Sequence, residues 1–249
     1  MMALEWFAAV ARNCRPGQAV VAVEDLKVLR GVVLEGAETS LRVDVVDHPE
    51  GLALTLAAPG ARLDRIHYRA QVRTAAQPIP PPPPPSSEGL SGQPFPLTLA
   101  AAYRDWLFHG PAFRVINQID SMGEHGLTAG LTASHPAQLL EGAPATWVAD
   151  PALLDGVLQL VVLWLRARLG LASLPSSLRR LTIHEPPSPG EPVNCRVRMT
   201  RVTAAGGVAD AWLLNSRGRA LLTVEGAELT ASANLNPMFT AAAGGVAPP

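Results

Sequence analysis

Asp155 and Gln159 stand four residues apart in the run 151–165, where Leu153, Leu154, Val157, Leu158, Leu160, Val161, Val162 and Leu163 make nearly everything else apolar. Positions i and i+4 share one helical face, so the acid and the amide point the same way from a helix of the kind that protein encloses on all sides. A carboxyl in such a place must be partnered or neutral. Two uses follow. In the structural one, the pair bond each other or a neighbouring backbone group and fix how the helix sits. In the chemical one, burial raises the pKa of Asp155, so that a proton is held near neutral pH and given to a leaving oxygen, with Gln159 orienting the acid or the leaving group. The helix start is well marked: Asp150 suits the N-cap and Pro151 the first helical position.

Two further stretches lie at a suggestive distance from this helix. Leu107-Phe108-His109-Gly110-Pro111-Ala112-Phe113 precedes it and Leu174-Pro175-Ser176-Ser177-Leu178 follows it. In this order the three landmarks resemble the dehydratase domains of modular polyketide synthases and of polyunsaturated fatty acid synthases, over roughly residues 97 to 232. The resemblance implies an α+β double hot-dog fold, each half a curved antiparallel sheet wrapped round a long helix. It implies Asp155 as catalytic acid and Gln159 as its companion. His109, Gly110, Pro111 and Phe113 would form the substrate-tunnel turn, with Leu174 and Pro175 on the substrate side of a strand. Many relatives carry Tyr where this chain has His109, and His where it has Asp150.

The family's base is a His in a His-x-x-x-Gly-x-x-x-x-Pro motif just before the first hot-dog helix, and this sequence contains no such motif. Residues 1–11 resemble that first helix, with Leu4, Phe7, Ala8 and Ala11 on one face and no Ser, Thr, Asp or Asn as cap. The reading is therefore a first half that starts just after the motif. Among the six histidines, His109 alone lies in a motif, where a tunnel-shaping or substrate-bonding role is favoured over a base. His48, His67, His125, His135 and His184 fall in expected turns or strand ends and read as exposed or structural imidazoles. Gly156 either admits substrate beside Asp155 or permits close helix packing. Tyr103 and Trp106, at i and i+3, read as core packing.

Composition bounds the remaining classes. The 249 residues are 48% hydrophobic and 16% charged, enough for a substantial core. With 20 basic and 21 acidic residues and no basic stripe, neither nucleic acid nor an anionic membrane is an expected partner. The longest apolar stretch, residues 153–165, is too short to span a bilayer, no signal peptide is recognisable, and a cytoplasmic location is expected. Cys14 and Cys195 stand far apart with no metal-ligand spacing, so neither a disulfide framework nor a metal is expected.

The elements that must position the site follow from punctuation. After the first helix, strands are expected over 19–23, 27–34, 39–46, 52–57 and 66–72, separated by Pro16-Gly17, Glu35-Gly36, Pro49-Glu50-Gly51 and Pro59-Gly60. Residues 1–75 form a partial N-terminal half on this reading, and 76–96 a linker. Seven of the eight residues from Pro78 to Pro85 are proline, a polyproline strut of about 25 Å. Residues 97–232 form the C-terminal half: an amphipathic start over 97–107, strands over 113–121 and 126–132, the Asp-x-x-x-Gln helix, then strands over 179–184, 194–202, 208–215 and 220–229. Residues 233–249 read as a disordered tail.

The leading reading is a dehydratase or dehydratase-like region that eliminates water from 3-hydroxyacyl chains carried as thioesters on the phosphopantetheine of an acyl carrier protein. No other cofactor is expected. Partners would be the carrier protein, other synthase domains and a second copy in a homodimer. Lacking the family's base, the isolated chain is expected to be inactive or nearly so, which leaves its standing as an enzyme open. A noncatalytic hot-dog module that holds acyl chains or docks neighbours is one alternative. A free-standing thioesterase or hydratase is another.

Overall fold

The computed structural model describes residues 1–33, 39–60 and 66–236. Helix α1 (Met2–Cys14) is followed by strands β1 (Ala19–Val28), β2 (Arg42–His48), β3 (Gly51–Ala57) and β4 (Ile66–Ala75). A segment without helix or strand leads to α2 (Leu99–Asp105), then to β5 (Ile116–Gly123), β6 (Gly126–Thr132) and α3 (Pro151–Leu169). Strands β7 (Ala172–Ile183), β8 (Pro192–Thr203), β9 (Gly206–Leu214) and β10 (Ala220–Ser232) complete the second half. The ten described strands join one sheet in the order β2-β3-β4-β1-β7-β10-β9-β8-β6-β5, with antiparallel pairing throughout.

The two halves meet where β1 pairs with β7, from Ala22 opposite Thr182 to Lys27 opposite Ser177. Helix α1 packs on β1, β3 and β4, while α3 packs on β6 to β10 and touches α1. Each helix thus lies in the hollow of its own part of the sheet, the double hot-dog arrangement. Its cause is legible in α3: from Pro151 to Leu165 every residue is buried except Asp155. Such a helix has no face to give to solvent and must be wrapped. Asp150 Oδ1 accepts the Ala152 and Leu153 amides at 3.0 Å each, and Gly170 ends the helix at φ 69.

One expected pair of strands proves to be a single strand. Residues 19–28 run continuously as β1, because a bulge between Glu24 and Lys27, with Asp25 at φ 51, absorbs the irregularity without breaking the pairing. Residues 29–33 leave the sheet, and Leu29 and Val33 are exposed. Strand β7 runs continuously through Leu174 and Pro175, where the resemblance places a strand, and most of the strand expected over 179–184. Pro175 has no N–H to give, and the register shifts beside it: Glu228 faces Ser177 and Leu229 faces Pro175, which leaves Ser176 of β7 as the extra residue. The expected turn at Glu35-Gly36, the end of the expected strand 27–34 and most of the expected tail lie outside the described residues.

Candidate active site

Asp155 is the opening in an enclosed helix. Its side chain is 17% exposed and borders a cavity of about 330 Å³. Two helical turns of α3 supply Asp155, Leu158, Gln159 and Val162 to one wall; residues 108–110 and Phe113 supply another, and Ser173, Leu174 and Pro175 of β7 a third. Met1 also lines it. Of the residues singled out by motif, Asp155, Gln159, His109, Gly110, Phe113, Leu174 and Pro175 all meet here. Pro111 does not: it opens the short 3₁₀ turn 111–113, where its fixed φ aims the chain so that Phe113 faces the cavity.

Gln159 is held by three bonds. Its Nε2 donates to Asp155 Oδ2 at 2.8 Å and to the Phe113 carbonyl at 2.9 Å, and its Oε1 accepts from the Tyr103 hydroxyl at 3.0 Å. The Tyr103 oxygen in turn accepts the Ile116 amide at 3.4 Å. The amide of Gln159 can therefore face Asp155 only with its N–H side. Burial pushes the Tyr103 phenol up to about 12, so it remains a donor across the working pH range. Tyr103 thus does more than fill the core. Its role depends on contacts 13 and 56 residues distant in sequence, and only its polar tip beside an apolar run hinted at a partner.

His109 lies closer to Asp155 than its motif foretold. Its Nε2 is 3.0 Å from Asp155 Oδ2, and its ring stacks on Phe108 with centroids 4.4 Å apart. Arg114 Nε donates to the His109 carbonyl at 2.9 Å and fixes the turn. Nδ1 of His109 and the Ser173 hydroxyl are both buried without a hydrogen-bond partner among the described residues. The imidazole reverses one expectation. Burial does push the Asp155 carboxyl upward, but the bond and charge of His109, the charge of the Met1 amino group and the bond from Gln159 together outweigh it and hold the group below its ordinary value. With no substrate in the cavity Asp155 rests as a carboxylate, so it must take up a proton before it can give one.

Just upstream of α3 a second polar cluster ties the halves together. Glu5 of α1, 4% exposed, accepts the amides of Val148 at 3.0 Å and Ala149 at 2.6 Å. Asp150 accepts the Ser134 amide at 2.6 Å and its hydroxyl at 2.7 Å, while Trp147 Nε1 donates to that hydroxyl. Burial raises both carboxyls against these bonds. Glu5 was legible by the argument that singled out Asp155, being the one charged residue among positions 1–11. Gly156 resolves toward packing, since a Cβ there would lie 2.7 Å from Val115 Cγ2 and 2.9 Å from Leu131 Cδ2. Among the described residues no cluster of His, Cys, Asp and Glu could hold a metal, and no helix is long and apolar enough to cross a membrane.

A wrapped pair of helices, each in the hollow of an antiparallel sheet, with an acid–amide pair at the wall of an apolar cavity, defines a hot-dog protein. The family model described as polyketide synthase dehydratase N-terminal domain matches residues 81–238, and the chain belongs to that family. It is 32% identical over 203 residues to one of the polyunsaturated fatty acid synthase polypeptides of Thraustochytrium sp., an alignment covering 77% of this chain and 7% of that protein's length. The fold is similar to the dehydratase domain of PpsC from Mycobacterium tuberculosis, with a TM-score of 0.71, 17% identity, and 93% and 82% of the two chains covered. It is likewise similar to the dehydratase domain from the CurJ module of curacin polyketide synthase, with a TM-score of 0.72, 15% identity, and 96% and 83% covered.

Proposed function

We propose that the chain eliminates water from 3-hydroxyacyl thioesters presented on the phosphopantetheine arm of an acyl carrier protein, as one region of a polyketide or polyunsaturated fatty acid synthase. The observation that carries this reading is the Asp155–Gln159 pair, bonded at 2.8 Å, on the wall of the 330 Å³ cavity. Apolar walls suit an acyl chain, and the polar pair suits the hydroxyl that departs. Asp155 delivers the proton to that hydroxyl, Gln159 orients it, and the tunnel turn from His109 to Phe113 with Leu174 and Pro175 borders the chain. The elimination neither oxidises nor reduces the substrate, so the carrier's arm is the only prosthetic group it requires. The partners are the carrier, the neighbouring synthase domains and a second copy of the chain, in the cytoplasm.

The sequence lacks the His-x-x-x-Gly-x-x-x-x-Pro motif, and losing one of two proton-handling groups costs about 10²–10⁴ in rate. Turnover by the 249-residue chain alone is expected to be reduced to that level or below. A 3-hydroxyacyl pantetheine thioester, followed by enoyl absorbance, tests the reading: Asp155→Asn should bring the rate to that of buffer. Equal rates for the variant and the unaltered chain would sink it. The apolar walls of the same cavity also suit a second reading, a module that holds acyl chains without transforming them. It predicts acyl-carrier binding that survives Asp155→Ala, with no enoyl product from either protein.

A further inference from the structure

Among the described residues eight polar or charged residues are buried, and seven of them have hydrogen-bonded side chains; Ser173, at 0% exposure, has none. Drying a hydroxyl without a partner is a cost that alanine at this position would not incur. Ser173 also borders the 330 Å³ cavity, on the β7 wall. Its place is fixed on both sides. The residue pairs with Ala231 of β10, and just before it the Asn236 side chain accepts the Ala172 amide at 2.6 Å and donates to the Gly170 carbonyl at 3.1 Å. The other polar side chains of the cavity are spent on one another. Gln159 commits both Nε2 hydrogens, one to Asp155 and one to the Phe113 carbonyl, and Nε2 of His109 meets Asp155. The Asp155 carboxylate itself only accepts.

We infer that the Ser173 hydroxyl is the donor that holds a carbonyl oxygen of the acyl-pantetheine chain in this cavity. The inference rests on the dehydratase reading above and adds a binding residue to it. It follows from matching donors to acceptors. The 3-hydroxyl of the substrate carries a proton of its own and suits the carboxylate of Asp155. The carbonyl oxygens of the thioester and of the pantetheine amides only accept, so each needs an N–H or O–H, and Ser173 offers an O–H that no described group engages. The cavity is otherwise walled largely by apolar side chains, among them Leu158, Val162, Leu174 and Pro175. In such surroundings water does not compete for the bond. A chain held at a carbonyl as well as at its 3-hydroxyl is fixed both in register along the cavity and in the face that C3 turns to Asp155.

Calorimetry with three unreactive ligands tests this in the unaltered chain and in Ser173→Ala. The first is a 3-hydroxyacyl pantetheine amide, which keeps every carbonyl. The second is the pantetheine thioether with CH₂ in place of the thioester carbonyl. The third is a 3-hydroxyacyl alkyl amide in which hydrocarbon of equal length replaces the pantetheine. Ser173→Ala should weaken the first at least about fivefold. If the thioester carbonyl is the acceptor, that loss disappears with the thioether and persists with the alkyl amide; if a pantetheine carbonyl is, the pattern is reversed. No loss with any ligand, or the same loss with all three, would overturn the role of Ser173 while leaving that of Asp155 to the Asp155→Asn result. The free variant adds a check that a purely structural serine would fail. With no partner to lose, its urea midpoint should be unchanged or higher, and a lower midpoint would mean that the hydroxyl is bonded within the protein and the assignment is wrong. An unaltered chain that binds none of the three ligands would bring down the dehydratase reading itself, and this inference with it.

Discussion

Tyr103 illustrates how the site is held residue by residue. Removing its hydroxyl in Tyr103→Phe leaves Gln159 Oε1 and the Ile116 amide, both buried, without a partner. Such orphaning costs about 1–3 kcal/mol, and it removes one of the three bonds that fix the Gln159 amide beside Asp155. Urea denaturation should register the loss, and dehydration should fall about tenfold with binding of the substrate amide little changed. The depressed carboxyl of Asp155 makes a second prediction, with a definite sign. An acid whose folded pKa lies below its unfolded value, about 3.9, contributes stability that is present above that value and lost as pH falls through the folded one. Unfolding measured from pH 6 down to pH 2 should therefore steepen less in Asp155→Asn than in the unaltered chain. What sequence conveyed here was the i to i+4 face of α3 and the cap at Asp150. It could not convey that His109 would close on Asp155 from 46 positions away and turn a stored proton into a carboxylate.

At the scale of elements, α1 and α3 are locked by polar groups as much as by apolar ones. Glu5 reaches from α1 to the two amides that precede α3, so the entry to the Asp155 helix is anchored on the other half of the molecule. Glu5→Ala should leave the Val148 and Ala149 N–H groups unpaired in a dry place and cost about 2–4 kcal/mol of stability. Glu5→Gln retains an acceptor and removes a charge that burial disfavours, so its stability at neutral pH should stay within about 1 kcal/mol of the parent. Because the Glu5 carboxyl is raised, its stabilising contribution is complete below its unfolded pKa and declines as pH rises through the folded value. Glu5→Gln should flatten stability over that interval, as thermal melts at successive pH values would show. Helix and strand runs were readable because period and punctuation are local. Strand β1 was divided too early because a bulge at Asp25 is a property of pairing with β4, which no stretch of 19–34 contains by itself.

At the scale of the whole molecule, the proline-rich segment is fastened along its length. His184 Nδ1 meets the Ile79 carbonyl at 2.9 Å, Arg196 Nη1 donates to Pro85 at 2.7 Å, and Arg198 Nη2 donates to Ser86 and Glu88 at 2.8 and 3.0 Å. Leu90 is fully buried, and the Gly89 carbonyl accepts the His125 amide at 2.9 Å. The prolines contribute through the unfolded chain, which has little freedom left to lose there. Fastening matters for function because the chain leads from Leu90 through α2 to Tyr103 and the His109 turn, so slack upstream is passed toward the site. Replacing Arg196 and Arg198 together by alanine removes three of these bonds while leaving Leu90 and the cavity untouched. Hydrogen exchange over residues 86–88 should then speed up at least about tenfold, since the arginine bonds to Pro85, Ser86 and Glu88 that resist local opening there are gone. Exchange in α3 should be unaltered, and the urea midpoint should move little. Equal acceleration in α3 would instead mean that the strap and the helix open as one unit, and that the arginines hold the active-site wall as directly as Glu5 does.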